Sequence, residues 1–362
     1  MDPRFWKGRK VFVTGHTGFK GSWLCLWLQR LSADVAGYSL PAPTTPSLYE
    51  VADVSAAMDS IVGDVRDYRA LSESIARHRP DVVFHLAAQS VVRLSYGDPV
   101  ETYSTNVMGT VNLLEVMRHL SGRTAIVNVT SDKSYENKEW IWGYRETDRL
   151  GGHDPYSNSK ACSELVSQAF ADSFFSAAEE KEQSKFLATA RAGNVIGGGD
   201  WTHDQLMPDV VQAFHEGRPV VLRHPDAVRP WQFVLDCLGG YMTLAERLLA
   251  EGRQYAGPWN FGPSPEDTLT VGALVERIIE RWPAPASWVL DAGKHPHEAG
   301  TLQLDTSKAI QRLDWKPRLS VTESADWVVD WYARYFQGAD AKSLCLEQIE
   351  RFETKSSTAC FA

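Results

Sequence analysis

The 362-residue sequence predicts an α/β fold in which a doubly wound parallel sheet is joined to a smaller mixed α/β lobe. Three observations predict it. Over residues 1–195, short β-branched runs alternate with segments of helical period, the pattern of parallel strands connected by helices. A glycine-rich turn separates the first strand from the first helix. After residue 196 the alternation changes, and Gly, Pro and Trp become dense.

The elements of the first half are predicted from periodicity and composition. Residues 10–14 (KVFVT) form a β-branched run typical of a strand, and residues 22–33 carry apolar side chains at helical spacing. By the same criteria we predict strands at 34–40, 60–65, 80–88, 124–131 and 185–197, and helices at 68–79, 102–120 and from Tyr156 to residue 180.

The second half predicts helices at 234–251, 270–282 and 320–336, with short strands between them. We therefore assign residues 1–195 to the large domain, with 233–262 returning to it. The lobe then comprises 196–232 and 263–345. Charged and polar residues dominate the end of the chain, so we expect 346–362 to be a loose C-terminal tail.

Composition narrows the classes of function. The net charge of −9 makes the chain a poor candidate for binding nucleic acid. There is neither an apolar stretch of membrane-spanning length nor an apolar segment at the N-terminus, so we expect no membrane span and no secretory signal. The five cysteines form no CxxC pair, which favours free thiols in a reducing cytoplasm, and no metal centre is expected.

The glycine-rich turn predicts a Rossmann dinucleotide-binding domain. Gly15, Gly18 and Gly21 lie between a strand and a helix, where glycine lets a pyrophosphate approach the N–H groups of the helix N-terminus. The alternative is an ordinary turn. The second strand ends in Tyr38-Ser39-Leu40, without the usual acid for a ribose and without an arginine for a 2′-phosphate, so it does not separate NAD from NADP. Asp64 and Val65, after the third strand, are candidates for the adenine edge.

Two polar groups point to acid–base chemistry. Tyr156 and Lys160 lie four residues apart at the start of a helix, and an ammonium beside a phenol stabilises the phenolate. The sequence Thr130-Ser131-Asp132-Lys133 (TSDK) follows the fifth strand, at the edge of the sheet where ligands bind. The alternatives are a surface Tyr with a solvated Lys, and a simple capping turn.

These motifs together resemble the extended short-chain dehydrogenase/reductase superfamily. The resemblance spans residues 8–335 and includes GHTGFKG, HLAAQS, Thr105-Asn106-Val107-x-Gly109, TSDK, YSNSK and DWKP. Within it, TSDK, RAGNVIGGGDW, VRPWQFV and HPHEA resemble the nucleotide-sugar 4,6-dehydratase family, in the branch acting on CDP-glucose. Branches acting on dTDP-glucose and GDP-mannose have Glu where this chain has Lys133.

The resemblance implies NAD as a recycled cofactor, CDP-glucose as substrate and a homo-oligomer, a dimer or tetramer. It identifies as cofactor-binding residues Gly15, Thr17, Gly18, Phe19, Gly21, Asp64, Val65, Leu86, Ala87, Ala88, Asn106 and Lys160. Its implied catalytic residues are Ser131, Asp132, Lys133, Tyr156 and Lys160. The implied product is CDP-4-keto-6-deoxy-D-glucose. The implied reaction is a step in deoxysugar biosynthesis of the O-antigen type.

The implied reaction assigns each catalytic residue a role. Tyr156, as phenolate, takes the C4 hydroxyl proton while Ser131 holds that hydroxyl. Asp132 protonates the C6 hydroxyl as it leaves. Lys133 can remove the C5 proton only when its amine is neutral, so the identity of the C5 base stays open.

Six residues are candidates for holding the substrate. Arg229 lies in a loop bordered by Pro and Trp, where a guanidinium suits a diphosphate. Asn194 follows the sixth strand and suits sugar or phosphate oxygens. The others are Ser90 from HLAAQS and, as walls for the base, Trp201, Trp231 and His297. Packing within the lobe is the alternative for the aromatic residues.

Two alternatives to a dehydratase stay open: a nucleotide-sugar epimerase or reductase of the same superfamily, and a non-catalytic dinucleotide-binding regulator. The pair Asp132 and Lys133 argues against the first, because neither reaction needs an acid for a C6 hydroxyl. Tyr156 and Lys160 argue against the second.

Overall fold

The computed structural model describes residues 1–175, 184–264, 266–291, 293 and 300–355. Its strands are β1 (Lys10–Thr14), β2 (Asp34–Ser39), β3 (Asp59–Val62), β4 (Val82–His85), β5 (Thr124–Val129), β6 (Lys185–Ala192), β7 (Val195–Ile196), β8 (Val220–Leu222), β9 (Val228–Arg229), β10 (Gln232–Phe233), β11 (Gly257–Phe261), β12 (Leu269–Thr270) and β13 (Trp288–Leu290).

The α-helices are α1 (Pro3–Trp6), α2 (Phe19–Arg30), α3 (Leu48–Val51), α4 (Tyr68–His78), α5 (Val92–Gly97), α6 (Pro99–Tyr103), α7 (Gly109–His119), α8 (Pro155–Phe170), α9 (Leu206–His215), α10 (Val234–Glu251), α11 (Val271–Arg281), α12 (Ser307–Leu313), α13 (Val321–Phe336) and α14 (Ala341–Thr354). A π-helical segment, Ser104–Met108, joins α6 to α7. The predicted helix over 102–120 is therefore one continuous helical run.

The predicted α/β class is confirmed. Seven parallel strands form one sheet in the order β3-β2-β1-β4-β5-β6-β11. Such strands are buried on both faces, which explains the near-continuous apolar runs of β1, β4 and β5. Residues 233–262 supply α10 and β11, and β11 pairs with β6 at the edge of the sheet.

Helices cover both faces of the sheet. On one face α4 and α7 pack against it through a cluster that includes Phe12, Ile75 and Leu113. On the other, α2 and α10 contribute Trp23 and Leu238 to a larger cluster. This cluster continues into α9, α11 and α13, which belong to the region 196–232 and 263–345, called the lobe below. Because a parallel sheet directs all its strands one way, the ends of β1 to β6 form a single edge, where the loops that follow them meet.

The end of the chain differs from the prediction. Residues 346–354 belong to α14, and its Cys345, Ile349 and Phe352 are buried. Phe352 packs edge-on against Trp27 of α2, at 5.7 Å between ring centroids. The charged residues that suggested a loose tail lie on the outer face of this amphipathic helix. Residues 356–362, including Cys360, are outside the described residues.

No helix in the described part of the chain has both the length and the apolar character needed to cross a membrane. Cys25, Cys162, Cys237 and Cys345 are free thiols.

Candidate active site

One cavity of about 1500 Å³ runs along the carboxyl edge of the sheet and into the lobe. Its walls include the glycine-rich turn, the loops after β2 to β6, the start of α8, and residues of α9 and β8. Elements far apart in the sequence therefore share one space, whose volume is large enough for more than one ligand group.

The glycine-rich turn fits a dinucleotide because its backbone is packed too closely for side chains at the start of α2. Gly15 has φ +76°, and a Cβ there would lie 2.7 Å from the Ala87 nitrogen. A Cβ on Gly21 would overlap the Gly15 carbonyl. Gly18 is the N-cap of α2 and lines the cavity, and no side chain caps the helix. The N–H groups of the first turn are thus open to an anion in the cavity.

The turn makes a prediction that separates cofactor binding from folding. A methyl group at Gly18 would meet its nearest neighbour, the Gly15 carbonyl oxygen, at 3.4 Å, and would lie on the cavity wall at the N-cap of α2. We expect Gly18→Ala to weaken NAD binding about tenfold or more with a melting temperature close to wild type.

Gly15→Ala is the matched comparison, because its positive φ and its contact with Ala87 should lower the melting temperature itself. Calorimetric titration with NAD and thermal unfolding of both variants test this difference. Equal loss of melting temperature in the two variants would contradict it.

The predicted adenine-side residues also lie on the cavity wall, but their polar groups have partners. Asp64 binds Arg66 through both carboxylate oxygens, at 3.0 and 2.9 Å from Nε, and Arg66 also contacts Glu101. This guanidinium keeps the pKa of Asp64 below its usual value. At the end of β2, the Thr17 hydroxyl lies 2.9 Å from the Ser39 hydroxyl. Arg66 was not anticipated from the sequence.

The other predicted cofactor residues divide into two groups. Phe19, Val65, Leu86, Ala87 and Ala88 line the cavity. Asn106 is not on its wall. It is buried and clamps the backbone of Gln89, accepting from its N–H at 2.8 Å and donating to its carbonyl at 3.0 Å. Asn106 therefore fixes the loop after β4.

The first turn of α8 places Tyr156 at the cavity and Lys160 behind it. Asp154 caps the helix, and residues four apart face the same side. Both side chains are buried, with 8% of Tyr156 and 7% of Lys160 exposed. Tyr156 lines the cavity, whereas Lys160 donates to the Val129 carbonyl at 3.2 Å. The spacing alone thus positions a phenol and an amine beside the end of β5.

Electrostatics oppose ionisation of Tyr156 in the absence of ligand. Burial raises the pKa of Tyr156 to about 12, and the charge of Asp132 acts in the same direction, while its hydrogen bond with Ser131 opposes the rise. Burial and the nearby charge of Lys20 lower the pKa of Lys160 to about 7, against the pull of Glu164. Burial thus disfavours the phenolate, and an added positive charge in the cavity would favour it.

The TSDK segment forms a short 3₁₀ turn, Asp132–Ser134, whose N-cap is Ser131. The Ser131 hydroxyl accepts from the Lys133 N–H at 3.2 Å and donates to Asp132 Oδ1 at 3.0 Å. Ser131 and Lys133 line the cavity, with Lys133 Nζ 3.6 Å from Asp132 Oδ1. Asp132 is fully buried beneath them, and its Oδ2 has no hydrogen-bond partner among the described residues.

A buried ionic network supports this turn, and the sequence analysis missed it. Glu164 accepts hydrogen bonds from Thr130, from Thr189 at 2.6 Å and from Arg191 at 2.8 Å. Arg191 also donates to the Tyr135 hydroxyl at 2.8 Å. Glu164 follows Lys160 by four residues on the same helix face, and Arg191 interrupts the apolar run of β6. A charged residue within an apolar stretch was the sequence feature that could have indicated this buried ion pair.

Four of the predicted substrate residues line the cavity: Ser90, Asn194, Arg229 and Trp231. The Asn194 Oδ1 and Trp231 Nε1 atoms are buried without hydrogen-bond partners among the described residues. The Arg229 guanidinium donates to the Val228 carbonyl at 3.0 Å and to the Gly300 carbonyl at 3.3 Å. These residues therefore share one cavity with Ser131, Lys133 and Tyr156.

The structure does not bring the other two aromatic candidates to the cavity wall. Trp201 packs among Trp331, Tyr332 and Tyr335, with ring centroids 5.5–6.0 Å apart. Its neighbours Asp200 and Thr202 line the cavity, so the chain runs along the wall while this ring turns into the lobe. His297 lies outside the described residues.

Comparison with known proteins adds family information to this geometry. A family model described as GDP-mannose 4,6 dehydratase matches residues 12–326. A CDP-glucose 4,6-dehydratase of Salmonella typhimurium is 52% identical over 340 residues, which cover 94% of this chain and 95% of that protein. A dTDP-glucose 4,6-dehydratase of Shigella flexneri is 24% identical, covering 89% of this chain and 92% of that protein.

Solved structures share the fold. A UDP-glucuronic acid 4-epimerase from Bacillus cereus, solved with UDP-glucuronic acid and NAD, has a TM-score of 0.76 at 21% identity. The match covers 90% of this chain and 99% of that one. An epimerase from Methanothermobacter thermautotrophicus has a TM-score of 0.79 at 22% identity, covering 96% of each chain.

Proposed function

This chain belongs to the GDP-mannose 4,6-dehydratase family, and from that premise we propose that it dehydrates CDP-D-glucose to CDP-4-keto-6-deoxy-D-glucose with NAD as a recycled cofactor. The enzyme is a hydro-lyase, because water leaves and no net oxidation occurs. The observation that carries the proposal is 52% identity to a CDP-glucose 4,6-dehydratase across 94% of the chain. The shared cavity of the glycine-rich turn, Ser131, Lys133 and Tyr156 supports it.

The cofactor supplies the redox chemistry: when bound, NAD⁺ takes the hydride from C4 and returns one to C6. Its pyrophosphate fits the N-terminus of α2, where Gly18 leaves the N–H groups open. The positive charge of its nicotinamide ring would favour the phenolate form of Tyr156.

The first step uses Tyr156, Ser131 and Lys160. Tyr156, as phenolate, accepts the proton of the C4 hydroxyl, which Ser131 holds through a hydrogen bond. Lys160, one helical turn behind Tyr156, favours the phenolate in its ammonium form and would hydrogen-bond ribose hydroxyls of the cofactor. The hydrogen bond between Ser131 and Tyr156 supports this arrangement.

The second step removes water across C5 and C6 of the 4-ketone, whose carbonyl acidifies the C5 proton. Lys133, which is on the cavity wall, accepts that proton as a neutral amine and returns a proton to C5 when the hydride reaches C6. Asp132 protonates the departing C6 hydroxyl as a carboxylic acid. Asp132 lies beneath the wall, so it reaches the substrate through a side-chain rotation or through the Ser131 hydroxyl that it already binds at 3.0 Å.

The position of Asp132 also favours a second candidate function. A C4 epimerase would need Tyr156, Ser131 and Lys160 but no acid for the C6 hydroxyl, and Asp132 is fully buried in the absence of ligand. A relative at 26% identity is a UDP-glucose 4-epimerase of Rhizobium leguminosarum. The two functions give different products from the same substrate.

The chain also has a surface suited to self-association. Val100, Met108 and Leu165, on the adjoining helices α6 to α8, are 76%, 50% and 55% exposed. Burying these side chains against a second copy would stabilise a dimer, or a tetramer built from dimers. We place the enzyme in the cytoplasm, in deoxysugar biosynthesis of the O-antigen type.

Product analysis tests the proposed function. Purified protein is incubated with CDP-glucose, UDP-glucose and dTDP-glucose in turn, with NAD and without reductant, and the sugar products are identified by NMR. A 4-keto-6-deoxy sugar from CDP-glucose is the expected result. A galactose-configured product would identify the epimerase instead.

A further inference from the structure

Besides the TSDK segment and Arg229, the cavity wall includes residues of α9 and β8. Leu206 and Asp209, three residues apart on one face of α9, line one side, and Val220–Leu222 of β8 line another. If the cofactor lies at the glycine-rich turn and the hexose at Tyr156, this region receives the nucleotide of the substrate. The inference below rests on that proposed function.

Four carboxylates line the lobe side of the cavity, and three of them already form a hydrogen bond or an ion pair within the protein. Asp204 lies 3.5 Å from Arg93. The Asp200 carboxylate accepts a hydrogen bond from the Thr202 N–H at 3.0 Å. The Asp291 carboxylate accepts one from the Gly293 N–H at 2.8 Å. The Asp209 side chain is exposed to the open cavity. Within the described residues, its carboxylate makes no hydrogen bond or ion pair.

The surroundings of Asp209 are partly dry although its carboxylate faces the cavity. Removal of water by the adjoining protein raises the pKa of Asp209 to about 6, and the charge of Asp204 acts in the same direction. Arg223, His203 and Arg218 oppose the rise. At neutral pH the group is therefore mainly a carboxylate, which can accept hydrogen bonds but cannot donate them.

We propose that Asp209 selects cytosine by accepting a hydrogen bond from the exocyclic amino group of the base. Cytosine presents an amino donor at this position, whereas uracil and thymine present a carbonyl oxygen. A carboxylate attracts the donor and repels the carbonyl, so one side chain both favours the CDP-sugar and disfavours the UDP- and dTDP-sugars.

Other ligand groups fit Asp209 less well. A phosphate would be repelled by the carboxylate and is better matched to the Arg229 guanidinium on the same cavity. A ribose hydroxyl could donate to Asp209, but every nucleotide carries one. That contact would therefore affect all nucleotide-sugars equally, a difference that the experiment can detect.

The test compares Asp209→Asn and Asp209→Leu with wild type on CDP-glucose and UDP-glucose, which differ only in the base. We expect the ratio of kcat/KM for CDP-glucose over UDP-glucose to fall about 10- to 100-fold, through KM, with kcat on CDP-glucose retained. The asparagine variant should also gain activity on UDP-glucose, because its amide can donate to the carbonyl. Glu216→Gln, at the other end of α9 and outside the cavity lining, is the control for the loss of charge.

Calorimetric titration with CDP and UDP gives a readout that does not depend on turnover. Weaker CDP binding with unchanged or stronger UDP binding in the Asp209 variants supports the proposal. This binding result stands even if wild type fails to dehydrate CDP-glucose, because that failure would overturn only the proposed function. An unchanged preference for CDP over UDP in both variants, or equal weakening of both nucleotides, overturns the role of Asp209.

Discussion

Replacing Tyr156 with phenylalanine should reduce kcat on CDP-glucose by about 10²- to 10⁴-fold, the usual contribution of a general base. The substitution keeps the buried ring and removes only the hydroxyl that pairs with Ser131. NAD binding should persist, because the glycine-rich turn and Lys160 are untouched. Steady-state kinetics and calorimetric titration with NAD measure the two effects separately.

Tyr103→Phe is the matched control for this variant. The Tyr103 hydroxyl donates to Asn158 Oδ1 at 2.9 Å and lies outside the cavity lining, so its loss should leave turnover close to wild type. Wild-type turnover by Tyr156→Phe would remove Tyr156 from the reaction. A parallel loss of NAD binding would assign it a structural role instead.

Asp132→Asn should stop the reaction after the first step, because the amide cannot supply the proton for the departing C6 hydroxyl. C4 oxidation uses Tyr156 and Ser131, so reduced nicotinamide should form and persist in a single turnover, where wild type shows it only transiently. Overall dehydration should fall by about 10²- to 10⁴-fold. Stopped-flow absorbance and product analysis report the two steps.

The turn itself should survive this substitution. Ser131, not Asp132, is the cap of the 3₁₀ turn, and asparagine keeps the volume and one acceptor of the aspartate. Asp148→Asn, in the ion pair with Arg145 and outside the cavity lining, is the control. Normal dehydration by Asp132→Asn would leave Lys133, which is on the cavity wall, as the group that handles protons in the second step.

The features predictable from the sequence are those set by local period and spacing. The alternation of strand and helix specified the parallel sheet, and its topology then brought Gly18, Tyr156 and TSDK to one edge. Tyr156 and Lys160 were recognisable because a spacing of four residues is one helical turn. None of these inferences required knowledge of a long-range contact.

The remaining features depend on tertiary packing. The Trp201 ring packs against Trp331 rather than facing the cavity, and Trp331 belongs to a helix that begins 120 residues later. The burial of Asp132 beneath Ser131 reflects how one turn docks on α8. The ion pair of Glu164 with Arg191 joins α8 to β6, and a sequence shows two charges without showing that they meet.

In the proposed reaction, a hydride leaves C4 of the hexose and returns to C6 of the same sugar as water is lost. CDP-glucose carrying deuterium at C4, incubated with the enzyme and NAD in ordinary water, tests it most directly. We expect a 4-keto-6-deoxy sugar with the deuterium at C6, identified by NMR and mass spectrometry. Deuterium retained at C4 of a galactose-configured product, or a 6-deoxy product without deuterium, would contradict it.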